Sequence, residues 1–332
     1  MTSVASAPEA ADLERYRGEL TGYCYRMLGS AFEADDAVQD TMVRAWRALD
    51  RFEGRSSLRS WLYRIATNVC LDVSSARQRR ARPMDLGPAG SAQAPELGTL
   101  PESTWITPIP DGRLLPVGAD PAAAADPADV ALARDSIRLA FVAALQHLPP
   151  RQRAVLILRE VLAWPAAEVA ELLETSVASV NSALQRARAT VAERDPDVDA
   201  PPPPLGEADR ALLDRYVDAF QRYDMTALTE LIKHDATQAM PPYSLWLSGR
   251  DEILTFWMGP GAACRGSALV PTTATGCPAF AQYRASGPGG AYEPWALQVL
   301  DVRDGQVVDF MFFLDTERVF PLFGLPLTPA GR

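Results

Sequence analysis

The stretch Leu148–Arg194, LPPRQRAVLILREVLAWPAAEVAELLETSVASVNSALQRARATVAER, decides how the chain is read. Pro165 suits the first turn of a helix, where a missing N–H costs nothing. Val169, Leu172 and Leu173 then give that helix one apolar face. Glu174-Thr175-Ser176 form a break, with Ser176 placed to cap the next helix by accepting a backbone N–H. From Val177 the apolar positions Val180, Leu184, Ala187 and Val191 recur at helical spacing. The opposite face carries Ser179, Asn181, Ser182, Gln185, Arg186 and Arg188, side chains able to hydrogen-bond base edges and neutralise phosphates. The pattern is a helix-turn-helix with a recognition helix. On these residues alone, a helical hairpin with a solvated polar face competes with it.

The whole chain has 332 residues, room for two or three domains with cores of their own, and its 48% hydrophobic content excludes wholesale disorder. A formal charge of −10 argues against a protein that coats DNA unspecifically, so nucleic-acid contacts must come from local basic faces aided by a protein partner. Lys233 is the only lysine, and arginine supplies the rest of the basic charge. Cys24, Cys70, Cys264 and Cys277 form no C-x-x-C pair, and His147 and His234 lie near none of them in sequence. Reduced thiols in a cytoplasmic protein are therefore expected, with no metal and no cofactor. The start, MTSVASAPEA, lacks the basic and apolar regions of a signal peptide, and no apolar run approaches the ~20 residues of a membrane span.

Working outward, residues 13–82 read as all-helical. Within Ala34–Leu49, Val38, Met42, Ala45 and Leu49 make an apolar stripe, leaving Asp36, Gln39, Asp40, Arg44 and Arg47 off it. After Phe52 comes the loop Glu53-Gly54-Arg55-Ser56-Ser57, then a helix from Leu58 to Ala76 whose buried side is Trp61, Leu62, Ile65, Val69 and Val73. Arg59, Arg64 and Asn68 are its polar outliers. It runs into Arg77-Gln78-Arg79-Arg80-Ala81-Arg82, a phosphate-binding candidate that also suits a helix C-terminus electrostatically.

DDAVQDTMVRAWRAL, then FEGRSSLRSWLYRIATNVCLD and the arginine run, resembles region 2 of bacterial sigma factors of the extracytoplasmic-function (ECF) group. LPPRQRAVLILREVL with PAAEVAELLETSVASVNSALQRAR resembles region 4 of the same family. The resemblance covers roughly the first 195 residues, and the order of the two blocks is far more specific than either alone. It implies that Asp36, Gln39, Asp40 and Arg44 face core RNA polymerase. It places Arg55, Ser56, Ser57, Arg59, Arg64, Asn68, Arg77, Arg79 and Arg80 near the melted −10 element of promoter DNA. Ser179, Asn181, Ser182, Gln185, Arg186 and Arg188 fall near the −35 groove. A flipped base needs a pocket, which polar loop groups beside Trp61 could help build, although Trp61 as plain core is the favoured reading. Asn181 stands where many members carry a basic residue, so their base preference is not carried over.

Residues 83–129 change to Pro, Gly, Ala and Ser, a linker too poor in apolar surface to fold alone. Inside it Trp105, Ile106, Ile109, Leu114 and Leu115 form an apolar island. The resemblance implies a connector threading toward the polymerase channels, while packing on another domain of this chain is favoured for the free protein. Region 4 then occupies 130–195, with Ile137, Phe141, Leu145 and Leu148 on its first helix. Pro201–Pro204, within a spacer at 196–206, is stiff and extended.

Residues 207–325 switch to a mixed pattern, flanked by a tail at 326–332 and mirrored by an unstructured start at 1–12. Helices are expected at Leu212–Tyr223 and Met225–Lys233, the second capped by Asp224. A short strand follows at Ala236–Met240, a helix up to Trp257, then strands at Leu269–Thr275, Ala279–Ala285 and Trp295–Val302. Arg303-Asp304-Gly305-Gln306 signals a hairpin returning as Val307–Leu314, before a closing helix at Thr316–Phe323. This order resembles the SnoaL-like, nuclear-transport-factor-like α+β cone. The fold class is thus multidomain: two all-α sigma domains plus that cone. His234, Asp235, Asp251 and Asp315 are titratable candidates, each better explained by a helix end or cap, and no catalysis is assigned. Tyr243, Trp257, Trp295 and Phe312, with Trp246 and Phe310, are candidates for lining a pocket for a small-molecule ligand, or else plain aromatic core.

The expected function is an alternative sigma factor whose SnoaL-like domain modulates it. A SnoaL-like enzyme or ligand sensor fused to a DNA-binding module is the second reading. A plain repressor ranks last, because it leaves the Asp36–Arg44 helix and the Arg55–Arg82 block unexplained.

Overall fold

Helix starts and stops explain most of the N-terminal architecture in the computed structural model, which describes residues 9–76, 79–114, 136–194 and 206–328. Gly29, at φ 72°, ends the Arg17–Leu28 helix in the left-handed region that glycine tolerates without strain. The next residue, Ser30, caps the Ala31–Ala48 helix by accepting from Glu33 N at 3.4 Å. Ser57 likewise caps the Leu58–Ser75 helix through Ser60 N at 3.0 Å. These three helices pack around Leu20, Tyr23, Met27, Leu62 and Tyr63, all fully buried. The Tyr23 hydroxyl meets Thr67 Oγ1 at 2.8 Å, which satisfies a polar group inside that core. Leu62 and Val69 lie on the buried side as expected, whereas Trp61, Ile65 and Val73 are only half-buried.

The helices Leu139–Gln146, Pro150–Leu156, Ala166–Leu172 and Val177–Arg194 follow, with a π turn at Ile157–Val161. Leu172 ends the third of them, Glu174 turns at φ 52°, and Ser176 Oγ accepts from Ser179 N at 3.1 Å to start the fourth. Val180, Leu184, Ala187 and Val191 face inward, so the helix-turn-helix periodicity is realised. These helices and the N-terminal three belong to one unit, Met1–Arg80 with Gly112–Pro201.

The second unit comprises Ala81–Asp111 and Pro202–Arg332. Helices Glu207–Arg222, Met225–Leu231 and Arg250–Met258 accompany one six-stranded mixed sheet, and Thr316–Leu322 closes the fold. The strands are β1 (Ile232–Ala239), β2 (Trp246–Ser248), β3 (Ala268–Ala274), β4 (Cys277–Arg284), β5 (Glu293–Arg303) and β6 (Gln306–Phe313). Their order is β2-β1-β6-β5-β4-β3, with β1 parallel to β6 and the other pairs antiparallel. Tyr216, Phe220, Trp257, Phe280 and Phe310 fill the concave side with ring centroids 5.5–5.9 Å apart.

Two expectations are corrected here. The helix read to Lys233 stops at Leu231, and His234 and Asp235 lie in β1, not at a helix end. Parallel pairing with β6 makes Ile232 a strand residue, which local helical spacing cannot anticipate. Strand β2 has no counterpart in the sequence reading, because three residues carry no period. Asp224 does cap its helix, accepting from Ala227 N at 3.0 Å. Asp315 occupies the cap position of the last helix but accepts no backbone N–H there.

The linker contributes a structured segment to this second unit. Trp105, Ile106 and Ile109 are buried, and the segment runs along the sheet's β1–β2 corner and the β3–β4 turn. Gly90 N donates to Trp246 O at 2.8 Å, Ser244 N to Gly98 O at 2.9 Å, Leu100 N to Pro242 O at 3.0 Å and Thr275 N to Ile109 O at 2.9 Å. Side chains reinforce it: Trp246 Nε1 donates to Gly87 O at 2.9 Å, and Glu252 Oε2 accepts from Ala92 N at 2.7 Å. Leu114 falls in the other unit, and Leu115 lies outside the described residues, as do the Pro201–Pro204 spacer and the first residues of the expected region 4.

Candidate nucleic-acid interface

On the Val177–Arg194 helix every sequence-selected polar residue is exposed: Ser179, Asn181, Ser182, Gln185, Arg186 and Arg188. Their positions follow from the buried stripe, since fixing Val180, Leu184, Ala187 and Val191 inward turns the intervening residues out. Arg186 makes no ion pair among the described residues, and Arg188 pairs with Glu160 at 2.7 Å on the surface. A free guanidinium with neighbouring amides and hydroxyls suits base edges in a groove.

The Ala31–Ala48 helix presents a different surface. Asp36, Gln39 and Arg44 are exposed, and Asp40 is half-exposed and pairs with Arg44 at 2.7 Å. The sequence reading missed Trp46, which is 63% exposed on the face that carries Asp36, Gln39 and Val43. Its spacing of seven from Gln39 was the available signal.

The Leu58–Ser75 helix and its flanks are more divided. Arg55, Ser57 and Asn68 are exposed, with Arg55 bonded to Glu53 at 2.5 Å, and Ser56 is half-buried. Arg59 is committed: it holds Glu19 at 2.8 Å and lies over the rings of Tyr63 and Trp164 at 5.2 and 5.1 Å. Arg64 approaches Glu171 at 3.8 Å, at the first helix of the helix-turn-helix. Arg80, expected on the DNA side, is corrected: it is 4% exposed and bound to Glu33 at 2.8 Å. That pair neutralises the buried guanidinium, so its charge is spent inside the protein. Arg79 is exposed, with Nη1 2.9 Å from His147 Nδ1, and Arg77 lies outside the described residues. Trp61 packs its ring on Phe52 at 5.1 Å and is half-buried rather than core.

Within this unit the two helical blocks are locked together by buried arginines. Arg153, 5% exposed, donates to the carbonyls of Leu145, Gln146 and Leu148, to Gln146 Oε1, and across to the carbonyl of Met27. Arg26 reaches Ser136 Oγ at 2.7 Å. Burial pulls both guanidinium pKa values down to about 10. Trp164 completes the contact, its ring tilted against Tyr63 with centroids 4.9 Å apart.

The cone holds a small cavity, partly open to solvent, lined by Trp257, Trp295, Phe312, Gln238, Gln282 and Cys264 among others. Three of the four expected lining residues are present, and Tyr243 is corrected: it bridges to Thr99 of the linker instead. His234, Asp235, Asp251 and Asp315 are exposed and none lines the cavity. Among the described residues no cluster of His, Cys, Asp or Glu has metal-holding geometry, and no helix is long and apolar enough to cross a membrane.

Comparison with known proteins agrees with this division. Residues 13–82 match the Sigma-70 region 2 family, 138–191 match Sigma-70 region 4, and 213–310 match the SnoaL-like domain family. The chain is similar to the ECF RNA polymerase sigma factor SigG of Mycobacterium tuberculosis, 44% identical over 96% of this chain and 84% of that protein. SigJ of the same organism is 28% identical over 98% of both chains. The crystal structure of SigJ shares the fold at a TM-score of 0.62, covering 96% of this chain and all of that one at 22% identity. Likeness of this extent, on top of a free recognition helix and two matched sigma regions, makes the chain a member of the ECF RNA polymerase sigma factors, transcription-initiation subunits that bind core RNA polymerase and promoter DNA and are not enzymes.

Proposed function

We propose that this sigma factor docks on core polymerase through Asp36, Gln39, Asp40, Arg44 and Trp46, and reads the −35 element through Ser179, Asn181, Ser182, Gln185, Arg186 and Arg188. Arg55, Ser56, Ser57, Asn68 and Arg79 serve the −10 element at once, and Arg59 and Arg64 join them after rearrangement. The −10 and −35 elements lie about 25 base pairs apart, roughly 85 Å of duplex. Helices that read both cannot stay in contact through Trp164 and Glu171, so the closed packing is the resting form and promoter binding requires it to open.

The C-terminal domain modulates that opening. The observation that carries this reading is the pairing of residues 81–111 with the cone, because the same segment connects regions 2 and 4. A connector held along the sheet has less length to span separated regions. The domain therefore favours the closed form, and releasing the segment favours the open one.

The test is transcription in vitro with purified core polymerase on a promoter library. Native chain, a chain ending near Ala200, and the full chain carrying Ile109→Asp are compared. Both altered chains are expected to initiate more strongly from the same promoters. Equal initiation by all three removes the modulatory reading, and no initiation by any removes the promoter assignments.

A further inference from the structure

The first turn of the Val177–Arg194 helix carries an apolar side chain that its buried stripe does not take in. Val177 is 43% exposed, whereas Val180, Leu184, Ala187 and Val191 are buried. It follows directly on the Ser176 cap. Asn181 stands four residues on, so the two side chains lie on one face of the helix, about 6 Å apart along its axis.

The polar groups around this pair divide into those already engaged and one that is not. Ser179 belongs to the cap: its N–H donates to Ser176 Oγ at 3.1 Å, and its hydroxyl lies 3.0 Å from the same oxygen. Arg188 holds Glu160 at 2.7 Å. Asn181 is exposed, and its amide makes no hydrogen bond among the described residues. That amide offers a donor and an acceptor side by side.

Across the major groove an A·T pair presents, in order, the N7 acceptor and N6 donor of adenine, then the O4 acceptor and the methyl group of thymine. An asparagine amide matches the first two groups with two hydrogen bonds, and an aliphatic side chain matches the last. A G·C pair has no methyl group, and its guanine edge shows two acceptors, which leave the amide oxygen unsatisfied. Residues at the N-terminal end of a recognition helix are the ones that reach base edges.

We infer that Val177 and Asn181 together read one A·T base pair of the −35 element, Asn181 at adenine N6 and N7 and Val177 at the thymine methyl group. Val177 thereby joins the residues that set promoter specificity, and the −35 element holds an A·T pair where the two side chains meet it. The inference rests on the −35 reading of this helix and adds the base that it selects. Both side chains are exposed and outside the core, so alanine at either position leaves the helix intact.

The test uses holoenzyme assembled from core polymerase and the full chain. A promoter that it initiates is randomised across the −35 region, bound duplexes are selected and sequenced, and the tightest is resynthesised with deoxyuridine for each thymine in turn. That replacement removes only the methyl group. Native holoenzyme is expected to select A·T at one position and to lose about fourfold in affinity when the thymine of that pair becomes deoxyuridine, the worth of one buried methyl group. Val177→Ala should be indifferent to the replacement. Asn181→Ala should lower discrimination against G·C at the same pair by at least about fivefold and leave the other selected positions as they were. A selected −35 sequence without A·T, tolerance of deoxyuridine at every thymine by the native chain, a penalty that survives in Val177→Ala, or unchanged discrimination in Asn181→Ala would each overturn the inference while the −35 reading stands. Selection of no −35 sequence at all would remove that reading, and the inference with it.

Discussion

The Val177–Arg194 helix and the Leu58–Arg80 segment look alike in sequence, each alternating apolar residues with arginines and small polar side chains. In three dimensions they differ in where the charge goes. The first turns its six selected polar residues to solvent. The second spends Arg59 on Glu19 and two aromatic rings, Arg64 beside Glu171 and Arg80 on Glu33. A pattern of arginines therefore announces a basic helix, but only its neighbours decide whether that charge is available to DNA. One helix presents its polar face to solvent, and the other has part of its charge covered by Glu171 and Trp164.

The largest test of this contrast is removal of Arg153, the buried link between the blocks. Arg153→Ala leaves several carbonyls unsatisfied and should cost about 3 kcal/mol or more of the helical unit's stability, read by chemical denaturation. If stability is unchanged, the blocks are not held together as described.

Trp164→Ala comes next. It removes the ring over Arg59 and beside Tyr63, and a buried Trp-to-Ala change costs about 3 kcal/mol. Hydrogen exchange along Leu58–Ser75 should accelerate while Val177–Arg194 stays as protected as before. Uniform acceleration of both helices would mean that they are not masked separately.

Arg186→Ala probes the free face. Loss of a base contact of this kind costs about 1–3 kcal/mol, so holoenzyme affinity for its −35 sequence should fall roughly 5- to 150-fold with stability intact. Arg80→Ala should do the reverse, lowering stability through the orphaned Glu33 and leaving −35 discrimination unchanged. Matching effects of the two substitutions on −35 discrimination would erase the distinction between the helices.

The smallest effect is expected for Arg188→Ala. Its pair with Glu160 is exposed, worth under about 1 kcal/mol, and loss of one phosphate contact should lower the salt slope of DNA binding by about one. An unchanged slope would place Arg188 off the DNA.

Much of this protein was legible in its residues because the signals are local. The helix-turn-helix follows from the spacing of Val180, Leu184, Ala187 and Val191 and from the cap at Ser176. The β5–β6 hairpin follows from Asp304-Gly305, where Gly305 takes φ 71° and Asp304 φ 51°. The family followed from two motif blocks in order.

What only the tertiary structure decided are matters of long-range partnership. Ile232 became strand because it pairs in parallel with Val307 of β6, Tyr243 turned to the linker rather than the cavity, and Gln238 acquired a fixed amide from Trp257. Trp105, Ile106 and Ile109 announced that their segment must bury somewhere, but not on which surface. Periodicity reports which side of an element is apolar. It carries no record of which distant residue will satisfy a hydrogen bond or a charge, because that choice is made only when separate elements meet and exclude water.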